Sequence, residues 1–338
     1  MTIRSFISGC ATVALSLEET HFFKTTNPWG LILFKRNCES PDQIRNLTAQ
    51  FRAAVGRKDA PVFIDQEGGR VQRLGPPSNH WRKYPAAAEY GKQYDRCPSL
   101  ALHSARSIGR LMADDLTEIG ITASCLPVLD VPQPGAHDVI GSRAYSMKPE
   151  QIMTLSRAHT VGLMEGGVLP VMKHIPGHGR AEVDSHHDLP VVKAPRVELE
   201  RVDFLPFVAF ADCPMAMTAH VIYEALDRDH PATLSRKIIK NVVRKLIGFD
   251  GLLITDDLSM KALKGTFTEK ANMALGAGCD MLLHCSGVMS EMEEVAAAAA
   301  PLAGKSMRRA KQALKAKRKP LPYDKKQALN DLEAILTA

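Results

Sequence analysis

Eight short apolar runs recur along the chain, and almost every one stops at a polar residue. The runs cover residues 6–8, 31–34, 62–64, 121–129, 169–172, 216–218, 252–254 and 281–283. Each has the length of a strand. Between them lie stretches with apolar residues at helical spacing, among them 42–55, 100–119, 149–165 and 237–247. Alternating β and α units predict a parallel sheet. Eight such units fit a closed barrel better than an open doubly wound sheet, whose Gly-rich phosphate turn is missing after the first strand. The expected fold class is therefore α/β: a single (β/α)8 TIM-type barrel with C-terminal helices. No internal repeat and no Gly-, Pro- or Ser-rich linker divides the sequence, so residues 1–338 are read as one domain. The Ala- and Lys-rich stretch 287–338 reads as terminal helices closing the barrel, broken near Pro320 and Pro322.

The positions where the runs stop carry most of the functional information. Asp65, Asp130, Lys173 with His174, His220, Asp256 with Asp257, and His284 all stand at or just past a run. In a (β/α)8 barrel these ends converge on the C-terminal face, where active sites of this fold lie.

Composition excludes several classes. With 45% hydrophobic and 24% charged residues the chain is ordinary for a globular protein, and no stretch is long enough to span a bilayer. The net charge of +6 comes from one place, since residues 305–326 carry ten Lys or Arg against a single acid, Asp324. That segment reads as a solvated helical face, so neither nucleic acid nor a membrane is an expected partner. The seven cysteines are odd in number and contain no Cys-x-x-Cys pair, which suits a reducing cytoplasm. Arg4 followed by Ile7-Ser8-Gly9-Cys10 resembles a lipoprotein cleavage site, but the apolar stretch before it is far shorter than the roughly 7 to 15 residues of a signal sequence.

The richest segment is Lys173-His174-Ile175-Pro176-Gly177-His178-Gly179, followed by Asp184-Ser185-His186-His187. Its Pro and Gly residues predict a shaped loop at the catalytic face. The histidines with Asp184 are candidate metal ligands, yet Lys173 brings a positive charge among them, and no helical His pair with an adjacent Glu is present. No metal and no cofactor are expected. After the third run, Asp65 is suited to accepting sugar hydroxyls and Arg73 to donating in a fork, while Glu67 and Arg70 read as a salt bridge pinning the loop. Of the adjacent carboxylates Asp256 and Asp257, the second reads as a helix N-terminal residue, leaving Asp256 as the candidate nucleophile.

Five ordered motifs together resemble glycoside hydrolase family 3. They are Gly30-Leu31-Ile32-Leu33-Phe34-Lys35-Arg36-Asn37, Asp65-Gln66-Glu67-Gly68-Gly69-Arg70, the Lys-His-Ile-Pro-Gly-His-Gly loop with Asp184-Ser185-His186, Ala219-His220-Val221-Ile222-Tyr223, and Thr255-Asp256-Asp257-Leu258-Ser259-Met260. The resemblance is to the β-N-acetylglucosaminidase branch, cytoplasmic enzymes of bacterial peptidoglycan recycling, and runs from about residue 5 to 290. It implies Asp256 as nucleophile, His186 as proton donor and Asp184 as its partner. It also implies sugar binding by Asp65, Arg73, Arg143, Lys173 and His174. Ile175 stands where the family usually has Phe, and the tail after 290 has no counterpart in the resemblance. Most retaining glycosidases use two carboxyl groups. A His held by a carboxylate can instead serve as acid and then base near neutrality.

The expectation is a monomeric, cytoplasmic, retaining exo-enzyme that removes terminal N-acetylglucosamine from muropeptide-type carbohydrate substrates. Competing readings are a phosphorylase on the same fold, a metal-dependent barrel hydrolase, an aldolase using Lys173 as a Schiff base, and a non-catalytic sugar sensor.

Overall fold

All eight apolar runs contain strands. In the computed structural model, which describes residues 2–78, 80–181, 183–185 and 188–337, the barrel strands are β1 (Arg4–Ser8), β2 (Pro28–Leu33), β3 (Val62–Ile64), β4 (Ala123–Ser124), β5 (Leu169–Ile175), β6 (Met215–Thr218), β7 (Leu252–Asp257) and β8 (Met281–His284). Every neighbouring pair is parallel, each strand lies beside its neighbour in sequence, and β1 closes the ring on β8. Helices wrap the outside, and the expected helix at 149–165 is Pro149–Glu165.

Two elements differ from expectation. The run 121–129 gives a strand of only two residues, because Pro127 has no N–H for the ladder. The chain still tracks β5 through irregular bonds, with Lys173 N–H reaching the Pro127 carbonyl (3.0 Å) and Leu129 N–H the Lys173 carbonyl (2.7 Å). The helix expected at 237–247 starts as one α-turn, Arg236–Ile238, and widens into a longer-ringed helix over Ile239–Leu246.

Residues at the N-terminal ends of the strands, including Trp29, Leu169, Met215, Leu252 and Met281, meet inside the ring. Their layer is stoppered from below by helix Gly304–Lys315, whose Ala310 and Ala313 are each 1% exposed against it. Small residues allow this close approach. Arg309 fastens the stopper to the barrel through Asp280 (3.0 Å) and Asp250 (2.6 Å), and Arg308 adds Asp250 (2.8 Å). Thus three of the ten cations in the basic segment, with Lys325 to Asp114 at 2.7 Å, hold acids of the barrel rather than only water. An irregular stretch carrying Pro320 and Pro322 separates the stopper from helix Lys325–Thr337, which packs along Pro98–Glu118. Among the described residues no helix is long and apolar enough to cross a membrane.

Candidate active site

A cleft of about 230 Å³ opens among the C-terminal ends of the strands. Asp65, Arg73, Arg143, Lys173, His174 and Asp256 all line it, so six of the residues singled out in the sequence come together. Ser185 also lines the cleft, while its neighbour Asp184 is half-buried on the same loop. His186 and His187 lie outside the described residues.

One side of the cleft is a chain of alternating charge. Arg73 donates to Asp65 (2.7 Å), Lys173 bridges Asp65 (3.0 Å) and Glu67 (2.6 Å), and Arg143 grips Glu67 with Nε (2.8 Å) and Nη2 (2.9 Å). Burial alone would raise the Asp65 and Glu67 carboxyls. Lys173 and Arg73 outweigh it at Asp65, and Arg143 and Lys173 outweigh it at Glu67, so both sit below the usual carboxylate range. Burial would likewise lower the Lys173 ammonium, but Asp65 and Glu67 hold it above its ordinary value. A Schiff-base lysine needs a neutral amine, and this arrangement works against one.

The salt bridge expected between Glu67 and Arg70 does not form. Glu67 stands in the short strand Gln66–Gly68, which turns its side chain inward to Lys173 and Arg143. Gly68 and Gly69, both at positive φ (95° and 58°), make the turn. Past it Arg70 points out to Asp138 (2.7 Å). Arg143 also donates through Nη1 to the Val139 carbonyl (3.1 Å). Three of its five N–H groups are thus engaged with protein, leaving two for a ligand.

Asp130, which the sequence showed only as the end of a run, is completely buried and organises the loop after β5. Its Oδ1 accepts the N–H groups of His174 (3.1 Å) and His178 (2.6 Å), and its Oδ2 lies 2.7 Å from His174 Nδ1. Burial opposes its ionisation, yet His174 pulls the carboxyl down to about 2. A carboxylate only accepts, so the His174 proton sits on Nδ1. His178 Nε2 lies 3.0 Å from Ser185 Oγ, and burial, with His174 nearby, pulls its ring down to about 4.

At the end of β7, the Asp256 N–H points to Thr218 Oγ1 (3.3 Å), and Asp256 Oδ1 accepts the N–H of Asp257 (2.8 Å). Asp257 is not at a helix start, since the next helix begins at Phe267 with Thr266 as its cap. Instead its Oδ1 accepts the N–H groups of Ser259 (3.0 Å) and Cys285 (3.1 Å), and its Oδ2 takes the Ser259 hydroxyl, which ties β7 to the end of β8. Asp257 also borders the cleft. Among the described residues no group of three or more His, Cys, Asp or Glu side chains is arranged to hold a metal ion.

Residues 10–316 match the glycosyl hydrolase family 3 N terminal domain. A beta-hexosaminidase of Alkalilimnicola ehrlichii is 39% identical over 290 residues, covering 85% of this chain and 82% of that protein. One from Nitrosomonas eutropha is 38% identical over 279 residues, covering 80% and 78%. Among solved structures, NagZ from Neisseria gonorrhoeae in complex with N-trifluoroacetyl-D-glucosamine has a TM-score of 0.84 at 31% identity, covering 100% of this chain and 96% of that one. The same protein in complex with zinc ion has a TM-score of 0.83 at 30% identity. The family match also reaches beyond residue 290, where the sequence motifs stopped, into the stopper helix. The match runs from the loop after β1 to the helix sealing the far end of the barrel and takes in seven of the eight barrel strands, and the chain is a glycoside hydrolase belonging to glycosyl hydrolase family 3.

Proposed function

We propose that the chain is a retaining exo-β-N-acetylglucosaminidase that removes terminal N-acetylglucosamine from peptidoglycan-derived muropeptides, working in the cytoplasm as a monomer with residues 1–338 as one catalytic unit. The observation that carries the reading is a cleft of about 230 Å³ in which Asp256 faces the chain of charges from Arg73 to Arg143. Pockets for drug-sized ligands run from roughly 300 to 1,000 Å³. This cleft suits one sugar ring, which favours action at a chain end. The names of the relatives, beta-hexosaminidases, and the N-trifluoroacetyl-D-glucosamine bound by the gonococcal protein support a 2-acylamino sugar as the ring.

In the first half-reaction the Asp256 carboxylate attacks the anomeric carbon, the glycosidic C–O bond breaks, and His186 gives its proton to the departing oxygen. In the second, His186 takes a proton from water, whose oxygen attacks the same carbon and releases Asp256. Two inversions leave the configuration retained. Asp184 orients and charges the imidazole. Asp65, kept ionised by Lys173 and Arg73, accepts sugar hydroxyls, while Arg143, Lys173 and His174 offer the remaining polar contacts.

A 5-fluoro N-acetylglucosaminyl fluoride should add its mass to the peptide containing Asp256, and Asp256→Ala should abolish the label. The protein should also cleave p-nitrophenyl β-N-acetylglucosaminide and leave the β-glucoside intact. An oxazoline product without a protein adduct, or a label on Asp257, would overturn the assignment of the nucleophile.

A further inference from the structure

Behind the cleft, a ring of hydrogen bonds closes around the segment that carries Asp256. It runs from the Asp256 N–H to Thr218 Oγ1 (3.3 Å), on to Thr233 Oγ1 (2.8 Å), then to His220 Nδ1 (2.7 Å). It returns from His220 Nε2 to the Asp257 carbonyl (3.0 Å). Thr218 is 1% exposed and Thr233 and His220 are 0% exposed, and none of the three lines the cleft. They come from the end of β6, the loop after it and the turn Ala232–Leu234.

The direction of the bonds follows from what each atom can do. A carbonyl only accepts, so the proton of His220 sits on Nε2. Burial holds His220 below its ordinary pKa against the pull of Asp256, so the ring is neutral and its Nδ1 accepts. The Thr233 hydroxyl therefore donates to Nδ1. Its rival acceptor, the Ala219 carbonyl, is farther at 3.0 Å and already takes the Thr233 N–H at 3.3 Å. Thr218 then donates to Thr233 and keeps a lone pair for the Asp256 N–H.

A histidine satisfied in a core is the plain alternative, but such a residue has no need to fasten both ends of one dipeptide. Here the ring holds the N–H before Asp256 and the carbonyl after Asp257, and the N–H between them is aimed at Asp256 Oδ1 (2.8 Å). We infer that His220, acting with Thr233 and Thr218, is a positioning residue that sets the direction of the Asp256 carboxylate toward the anomeric carbon. This rests on Asp256 being the nucleophile. Displacements of about 1 Å at a reacting group cost on the order of a hundredfold in rate.

Thr233→Val keeps the side-chain shape and removes the hydroxyl, His220→Phe removes both ring nitrogens, and His220→Gln restores a donor toward the Asp257 carbonyl. Thr233→Val and His220→Phe should each lower kcat on p-nitrophenyl β-N-acetylglucosaminide, and the rate of fluoro-sugar labelling, by about a hundredfold, with KM near wild type. His220→Gln should recover most of the labelling rate. The double variant should be no slower than the slower single one, because the ring acts as a unit. Wild-type labelling rates in Thr233→Val, or losses that multiply in the double variant, would overturn the ring while leaving the nucleophile in place. A wild-type label on a residue other than Asp256 would overturn both.

Discussion

Glu67 shares its oxygens between Lys173 and Arg143, with 3% of its side chain exposed. Glu67→Gln keeps the shape but leaves two buried cations without their common anion. Breaking a buried ion pair from one side typically costs about 3 to 5 kcal/mol. Urea denaturation should show a loss of that order, and kcat/KM should fall with it. A variant as stable as wild type would mean that water or a shifted side chain replaces the carboxylate. The proposed acid has its own signature. General acid catalysis is worth roughly 10² to 10⁴ in rate. His186→Ala should therefore slow a sugar leaving group far more than p-nitrophenol, and Asp184→Asn should do so more mildly. Equal losses on both substrates would make His186 a binding residue. Asp65, Lys173, His174 and Asp256 were legible because a polar residue ending an apolar run must emerge at one rim of a barrel, whereas Arg73 came from the loop after the third run and Arg143 only from the family resemblance. The roles of Glu67 and Asp130 were not, because their partners lie far along the chain, Glu67 meeting Arg143 and Asp130 meeting His174. No spacing rule connects such pairs.

At the scale of elements, strand periodicity and helical spacing located every barrel strand, and they failed where a backbone detail overrode side-chain pattern. Pro127 interrupts the ladder inside an unbroken apolar run, and the widened helix Ile239–Leu246 has the same apolar spacing as an ordinary one. The stopper was legible as a helix closing the barrel, but the residues that close it were not, because the most deeply buried positions on its inner face are alanines, which read as neutral. Ala313, 1% exposed, shows what that face does. Ala313→Leu inserts three carbons where none fit, and overpacking costs typically about 1 to 3 kcal/mol. The expected result is a lower urea midpoint with KM unchanged, since the cleft is at the opposite end of the barrel. A changed KM would show that the bottom of the barrel communicates with the cleft.

Across the whole molecule, buried histidines contribute to how stability depends on pH, and two of them give the clearest test. His159, packed against Tyr90 and Tyr145, and His178 in the cleft wall are both pulled down to about 4 by burial. In the unfolded chain a histidine takes up its proton near 6.5. Between about 6.5 and 4 the unfolded chain therefore binds more protons than the folded one, and stability falls as pH drops through that window. For His159 alone the loss by pH 5 is about 2 kcal/mol. Urea denaturation at pH 7.5 and pH 5 should show it, and His159→Phe should flatten the difference. An unchanged slope in that variant would place the proton uptake elsewhere.

The pairing of β1 with β8, and the seating of Gly304–Lys315 beneath the ring, have a consequence for biosynthesis. Ribosomes deliver residues in order, at roughly 5 to 20 per second. Strand β1 is translated long before its partner strand Met281–His284, and Ala310 and Ala313 come later still. Until that strand is made β1 lacks one of its two neighbours, and until the stopper is made the apolar residues Trp29 and Phe63 lack their cover. An unpaired edge of this kind is a template for wrong partners. A stop codon just before the stopper would release a chain that holds every described residue lining the cleft and still lacks the seal beneath them.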